Sequence, residues 1–294
     1  MTGRVMLLLL GLAVGSFLNV VALRYRPDKF LFDYRVWRGR STCPHCGATL
    51  RWYELVPVVS YLWQVGRCRS CKAKISPQYP IVELLTGLIF AFTPAAVARL
   101  VVSELAPLRH AALAALWIGI LCILLVVTVV DLRHFIVPDE ATIAIALLGG
   151  GVIAVTLGNQ VALLGRSFVG HYALLLGMQQ SIIINRLAAL AAALLFFAIP
   201  FAVTRGRGMG FGDVKLAAAL ALPLGWPDAL LAFALAFMVG TLWFTPRLVW
   251  QKLSFKARIP FAPFIAAATA LVVFFGVPLI DSYFKLVAAA AKVF

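Results

Sequence analysis

Long apolar stretches alternate with short polar ones along the whole chain. Eight apolar runs predict helices, at about 5–23, 81–102, 111–130, 140–158, 182–204, 214–225, 229–246 and 261–280. A transmembrane helix needs about 20 consecutive apolar residues, and all but one of the runs come close to that length. The sixth run, 214–225, is short, so a helix there needs protein around it. The pattern predicts an all-α polytopic membrane protein with about eight transmembrane helices.

Composition supports a membrane protein. Of the 294 residues, 63% are hydrophobic, and the mean hydropathy is +0.98, whereas in a soluble domain about half of the residues are apolar. The net charge of +15 is of a kind seen in nucleic-acid-binding proteins. Here, however, the positive residues lie in the loops between apolar runs, so we expect contacts with membrane lipid and no nucleic-acid partner. The first run has no cleavage signature of small residues, and we expect it to remain as a helix.

Lys and Arg residues set the expected orientation of the spans. With residues 24–80 in the cytosol, most of the 26 Lys and Arg residues fall in cytosolic loops, as the positive-inside rule requires. The chain then divides into a first transmembrane helix (1–23), a cytosolic cysteine-containing loop domain (24–80) and a transmembrane domain (81–294), with both chain ends outside the cytosol. The segment 159–180 is expected to form an interfacial loop or helix on the other side.

Two aspartates stand at the edges of apolar runs. Asp131 follows the charge-free run 111–130, and Asp213 opens the short sixth run. By this topology both lie at cytosolic helix ends at similar depth. A carboxylate near hydrocarbon is costly and is a functional candidate by default. When two carboxyl groups face each other, one keeps its proton. The pair can then activate a water molecule, with one group as general base and the other as general acid, which would hydrolyse a peptide.

Glycines and a second acidic pair surround these aspartates. Gly210 and Gly212 lack side chains, so an extended substrate backbone could approach closely. They do not form a phosphate-binding loop, because no Gly-Lys-Ser/Thr follows them. Asp139 and Glu140 are the nearest rivals for catalysis. They follow Pro138 and are typical of a helix start, where proline is tolerated and acids are favoured by the helix dipole.

Other interpretations of the aspartates remain open at this point. Asp131 can be an interfacial helix-end residue that pairs with Arg133 or His134, and Asp213 can be a helix N-cap. Alternatively, the pair can be a proton relay of a proton-coupled transporter. A transporter predicts inverted internal repeats and a binding site near the midplane, and neither is evident in the sequence.

Four of the five cysteines form two CxxC pairs in the polar loop, Cys43 with Cys46 and Cys68 with Cys71. The spacing is close to that of a zinc ribbon, and four sulfur ligands predict a closed, structural Zn²⁺ site. The alternatives are two disulfides or free thiols, although a cytosolic loop disfavours disulfides. Cys122 lies inside an apolar run and is expected to be a small core residue.

The same loop is rich in aromatic and basic residues. Its aromatic side chains can pack around the metal or lie at the membrane interface; they include Trp37, Trp52, Tyr53, Tyr61 and Trp63. Its basic surface would favour anionic lipid headgroups or orient the tail of a substrate.

Five short segments, in the right order, resemble the bifunctional prepilin leader peptidases of type IV pili and type II secretion. They are Gly15–Val21, the cysteine pairs with Ile75–Glu83, Asp131–Asp139, the Gly210–Asp213 GxGD motif and Ile259–Phe264. The resemblance covers nearly the whole chain and implies a GxGD-type intramembrane aspartic peptidase of the bacterial inner membrane. It implies that Asp131 and Asp213 are catalytic, and we expect Gly210, Gly212, Lys215, Pro138 and Asp139 to support the catalytic loops.

The resemblance also implies a substrate and a second reaction. Members of the family cut pilin or pseudopilin precursors after the Gly that ends a short basic leader, and many then methylate the new N-terminal amine with S-adenosylmethionine. The cysteine-containing loop accompanies the second activity. Weak candidates for it are Tyr79, Pro80 and Glu83, and Glu83 can either bind the new amine or be a helix-start acid.

Overall fold

The computed structural model describes residues 2–28, 30–31, 33, 39–100, 107–157, 167–177, 181–250 and 259–290, with side chains of the seventh range described up to 246. Eight long helices lie in these ranges: α1 Thr2–Arg24, α2 Gln78–Ala98, α3 Pro107–His134, α4 Asp139–Leu157, α5 Ile182–Thr204, α6 Phe211–Leu224, α7 Asp228–Trp250 and α8 Ala262–Ala290. The described part has no β-sheet, only two isolated bridges. The predicted all-α class is therefore confirmed.

Seven of these helices are long and apolar enough to cross a membrane. The exception is α6, whose 14 residues span only about 21 Å. Its inward side chains, Leu216 and Leu220 among them, are fully buried, and it packs against α4, α5 and α7. A short helix is thus surrounded by protein, as its length requires.

Helices α1 and α2 approach each other with their backbones nearly in contact. A Cβ atom added to Gly11 would lie 2.8 Å from the Cα of Gly87, and one added to Gly15 would lie 2.7 Å from the Cα of Glu83. The Asn19 side-chain amide donates a hydrogen bond to the Tyr79 carbonyl at 3.1 Å. Close packing and this bond hold the first turn of α2 against α1.

At the end of the bundle opposite the cysteine loop, polar side chains hold the helix ends together. Asp228, the first residue of α7, is fully buried; its carboxylate accepts hydrogen bonds from the Ser167 hydroxyl at 2.6 Å and the Phe168 N–H at 2.8 Å. Asn185 donates to the Trp226 carbonyl and accepts from the Trp226 N–H. The start of α7 thus lies at one end of the bundle and the start of α8 at the end near the cysteine loop, as expected when successive helices cross a membrane in opposite directions.

The middle of the predicted interfacial segment 159–180 is described for residues 167–177. It contains a 3₁₀-helix, Gly170–Leu176, and the Tyr172 hydroxyl donates a hydrogen bond to Asp281 of α8. This part covers the end of α8. The flanking residues 158–166 and 178–180 lie outside the described residues, so their interfacial location stays a prediction.

Candidate active site and metal centre

The structure brings Asp131 and Asp213 to the same end of the bundle. Asp131 lies in the last turn of α3, and Asp213 is the third residue of α6. Their residues are only 4% and 8% exposed, and Gly212, next to Asp213, packs against Val137, six residues after Asp131. Two helices that are far apart in sequence thus bring two carboxyl groups together in a protein interior.

The N-cap interpretation of Asp213 is wrong. The helix begins three residues before the predicted 214, its N-cap is Gly210, and no side chain caps it. Asp213 instead lies inside the first helical turn, where its buried carboxyl group lies against the backbone of Gly210.

A backbone hydrogen bond orients Asp131. The N–H of Ala262, the first residue of α8, donates to Oδ2 of Asp131 at 3.1 Å. The first N–H groups of a helix have no partner within it, so the carboxylate satisfies one of them. In the described part of the chain Asp131 forms no salt bridge with Arg133 or His134, and the His134 ring packs edge-on against Tyr25.

The GxGD glycine at position 212 makes a packing contact that sequence reasoning missed. A Cβ atom added to Gly212 would lie 3.0 Å from the Cβ of Val137, whereas one added to Gly210 would meet nothing closer than Asp213 Oδ2 at 3.4 Å. Val137 belongs to the connection between α3 and α4. Gly212 therefore lets the segments that carry the two aspartates lie against each other.

We expect Gly212→Ala to reduce peptide cleavage more than Gly210→Ala, because the new methyl group must push Val137 and the α3–α4 connection away from α6. The double variant Gly212→Ala/Val137→Gly should recover much of the lost rate, since it removes both the Cβ atom at 3.0 Å and the Cγ2 atom at 3.3 Å that the new methyl group would meet. Initial cleavage rates of the four proteins would test this. Equal losses in the two glycine variants, with no recovery in the double variant, would contradict a packing role.

Lys215 and Asp139 form an ion pair between the starts of α6 and α4. Asp139 is the first residue of α4 and directly follows Pro138, as the sequence predicted. The Asp139 side chain is 67% exposed, and an exposed pair adds little to stability. The pair joins the two helix starts near the aspartates, and its role in supporting the catalytic loops stays a prediction.

The four cysteines of the loop domain come together. Their sulfur atoms all lie within 4.8 Å of one another, and the Cys43 and Cys71 sulfurs are 3.9 Å apart. A tetrahedral zinc site with Zn–S bonds of about 2.3 Å requires sulfur–sulfur distances of about 3.8 Å. None of the four is in a disulfide, so the cluster can bind a metal ion.

The two CxxC turns have the same backbone pattern. The N–H of Cys43 donates to Ala48 O at 2.9 Å, and that of Cys68 donates to Ala73 O at 2.8 Å. Backbone hydrogen bonds from Cys71 and Ser70 lower the pKa of the Cys68 thiol to about 7, whereas the pKa of the neighbouring Cys71 thiol is raised to about 11. Two matching knuckles, each with two sulfurs, fit a four-thiolate metal site.

Tyr79 and Pro80, predicted to lie in the loop domain, belong to the first turn of α2, which begins at Gln78. Glu83 lies in the next turn and is only 6% exposed. Its Oε2 accepts the Val58 N–H at 2.7 Å, and its side chain also bonds to Ser16. Glu83 is thus more than a helix-start acid: it joins the loop domain to α1 and α2.

A cavity of about 460 Å³ separates the loop domain from the ends of α1 and α2. Its walls include Tyr79, Glu83 and, two residues beyond the catalytic candidate of α3, Arg133. Sequence reasoning did not find this cavity, because its lining comes from segments that are distant in the chain. Its volume is in the range of small-molecule sites, about 300–1,000 Å³.

Comparison with known proteins agrees with this arrangement. Residues 9–97 match the bacterial peptidase A24 N-terminal domain, and residues 118–245 match the type IV leader peptidase family. A protein of Burkholderia pseudomallei (strain 1026b) is 34% identical over 298 residues, covering 92% of this chain and 85% of that protein. The chain belongs to the type IV leader peptidase family.

Two further relatives extend the range of bacteria in which similar members of the type IV leader peptidase family occur. A protein of Aeromonas hydrophila is 33% identical over 88% of this chain and 86% of its own length, and one of Bacillus subtilis (strain 168) is 31% identical over 95% and 97%. All three are named prepilin leader peptidase/N-methyltransferase. No solved structure matches. The predicted family is confirmed, and the transporter alternative finds no support.

Proposed function

We propose that this chain removes the short basic leader of type IV pilin-like precursors, cutting after Gly, and then methylates the new N-terminus. The observation that carries the first step is the pair of buried carboxyl groups of Asp131 and Asp213. Membership of a leader peptidase family and the names of the relatives support both steps.

In the cleavage step, one carboxyl group accepts a proton from water while the other donates a proton to the scissile carbonyl oxygen. The attacking water adds to the carbonyl carbon, and the C–N bond then breaks with protonation of the amine. The Ala262 N–H holds the Asp131 carboxyl group in place. Burial keeps bulk water away, which strengthens the electrostatic effect of each group.

The cleavage site faces the cytosol in this proposal. The loop domain and the starts of α2, α4, α6 and α8 lie on the side where the sequence places most Lys and Arg residues. The positive-inside rule assigns that side to the cytosol. Thr2 and Ala290 then lie on the other side of a bacterial inner membrane.

The methyl-transfer step takes place in the cavity between the loop domain and the helix ends. S-adenosylmethionine would supply the methyl group when bound. The new amine must lose a proton before it can attack a methyl carbon, and Glu83 is the buried carboxylate on the cavity wall. Arg133 lines the same cavity, so the peptide end released near Asp131 has a short path to it.

The metal held by Cys43, Cys46, Cys68 and Cys71 is zinc in this proposal, because four thiolates at ribbon spacing are typical of structural zinc. All four positions are filled by protein, which leaves none for a substrate. The metal would hold the two knuckles together and thereby one wall of the cavity, without taking part in either reaction.

Mass spectrometry of a precursor after incubation with full-length enzyme and S-adenosylmethionine tests both steps at once. We expect loss of the leader and gain of one methyl group on the new N-terminus. Glu83→Gln should leave cleavage intact and slow methylation by about 10²-fold, since a proton acceptor contributes about that much. The Gln side chain can still accept the Val58 N–H, so the fold is kept.

Glu54→Gln is the matched control. Glu54 also lines the cavity, but its Oε2 accepts the Arg51 N–H of its own turn, and we expect unchanged methylation. Loss of methylation in Glu54→Gln and not in Glu83→Gln would transfer the role to Glu54. An intact leader in the wild-type reaction would overturn the proposed function as a whole.

A further inference from the structure

The loop domain has an apolar edge that its own fold leaves uncovered. Five large side chains form this apolar edge, and each is more than half exposed: Trp52, Val59, Leu62, Trp63 and Val65. Trp63 is the most exposed of them, at 86%. The short helix Val59–Trp63 directs its other face, with Ser60 and Tyr61, toward the cavity. The helix is therefore polar toward the protein and apolar toward the outside.

One hydrogen bond ties the start of this helix to α2. The Val58 N–H, just before the helix, donates to Glu83 Oε2 at 2.7 Å. Glu83 lies five residues into α2, which begins at Gln78, and hence about 7 Å from its start. On α1 the neighbouring residue is Gly15, nine residues and about 13 Å before the end at Arg24.

That depth lies within the membrane-spanning part of α1 and α2. The hydrocarbon core is about 30 Å thick and α1, at 23 residues, is about 35 Å long. A residue about 7–13 Å inside the ends of α2 and α1 lies at the boundary between headgroups and acyl chains or just below it, a depth that the apolar face of an interfacial helix reaches. At this depth α2 exposes Leu84 and Leu88, and α1 exposes Phe17. The surface of α1 and α2 is thus apolar at the depth where the short helix begins.

The charges around the apolar edge fit a membrane surface. Five exposed basic residues lie in the same domain, before and after the short helix in the chain: Arg51, Arg67, Arg69, Lys72 and Lys74. Aromatic and apolar side chains beside Lys and Arg are typical of segments that lie in the interface of anionic membranes. The Glu83 carboxylate satisfies the Val58 N–H, which would otherwise lack a partner at this depth.

We propose that Trp52–Val65 enters the leaflet that the loop domain faces, with its apolar edge covered by lipid acyl chains. The segment does not cross the membrane; it turns back through Gly66 toward the second cysteine pair. The basic residues then contact anionic headgroups. Lipid would close the outer side of the cavity by holding the short helix against α1 and α2.

Tryptophan fluorescence of the full-length protein in lipid nanodiscs tests this. The discs contain phosphatidylcholine and phosphatidylglycerol with either ordinary or brominated acyl chains, since bromine quenches only nearby indoles. The difference emission, which is the wild-type spectrum minus the spectrum of Trp63→Phe, comes from the indole of Trp63. We expect this difference emission to be blue-shifted, to lose most of its intensity in brominated discs and to resist iodide added to the water.

Two variants make the result decisive. Trp117→Phe removes a fully buried indole, and its difference emission should resist both quenchers. Val59→Trp in the Trp63→Phe background moves the reporter by one turn on the same face and should again be quenched by brominated lipid. The proposal would be overturned if iodide quenched the difference emission from residue 63 and brominated acyl chains did not. Protection from both quenchers would also overturn it, and would indicate a protein partner or a second copy on this edge.

Discussion

Asp131→Asn and Asp213→Asn should each abolish detectable cleavage of a pilin-like precursor, with a loss of about 10²–10⁴-fold or more, because each removes a group that transfers a proton. Asparagine keeps the shape of the side chain, and its amide oxygen can still accept the Ala262 N–H that binds Asp131. The fold is therefore expected to persist. Single-turnover cleavage in lipid, with the variant in excess over substrate, is the measurement.

The matched control for these variants is Asp281→Asn. Asp281 lies near the other end of α8, where it accepts the Tyr172 hydroxyl, and should leave cleavage unchanged. If either catalytic-site variant retained wild-type activity, the two-aspartate mechanism would be wrong. A double variant Asp131→Asn/Asp213→Asn should lose no more than the single variants, since the two groups act as one unit.

Replacing the exposed cysteines, Cys46→Ser and Cys71→Ser together, should remove bound zinc and unfold the loop domain. Structural zinc contributes about 10–16 kcal/mol in zinc-finger peptides, more than the net stability of many whole domains at about 5–15 kcal/mol. We expect metal content to fall from about one zinc per chain to none. Methylation should be lost, whereas cleavage should persist in large part because α3 and α6 do not depend on the loop.

Metal analysis, limited proteolysis of residues 39–77 and the two activities would be measured on the same preparation. Cys122→Ala is the control, because Cys122 is buried in α3 and far from the four-sulfur cluster in sequence; it should keep its zinc. Wild-type protein that contains no zinc after purification in metal-free reagents would contradict the metal assignment. Equal loss of cleavage and methylation would show that the loop domain also serves the peptidase.

The helices could be predicted closely because the hydropathy of each apolar run indicates, without reference to the rest of the chain, that the run lies in a membrane. The predicted run 182–204 coincides with α5, and the predicted short run 214–225 corresponds to α6, which begins at Phe211. Boundaries were less accurate: α8 extends to Ala290 rather than 280. A helix end depends on local hydrogen bonding as well as on hydropathy, so it is less well determined by composition.

The parts of the site that depend on few residues were also predictable. The spacing of the two CxxC pairs is typical of metal sites and uncommon elsewhere. The structure brings their four sulfurs together. An aspartate at the edge of an apolar run is costly enough to attract attention by itself. The roles of Asp131 and Asp213 stay predictions, but the structure buries both side chains at the same end of the bundle.

Other features of the site could not be read from any single segment. Val137, in the connection between α3 and α4, lies so close to Gly212 that a side chain at position 212 would clash with it. Glu83 bonds to Val58, 25 residues earlier in the chain, and the cavity that both border has walls from α1, the loop domain, α2 and α3. None of these pairs shares a local pattern that would reveal the contact.

The sequence by itself predicted the eight long helices of the described residues, which of them are apolar enough for a bilayer, and which cysteines and acids could carry chemistry. Those properties depend on the free energy of transferring individual segments and side chains from water to lipid, which each segment's own composition determines. Only the tertiary structure decided which groups meet: Asp131 with Asp213, Glu83 with Val58, and Gly212 with Val137. Such contacts join residues from separate elements, and they follow from the packing of the whole bundle, to which every helix contributes at once.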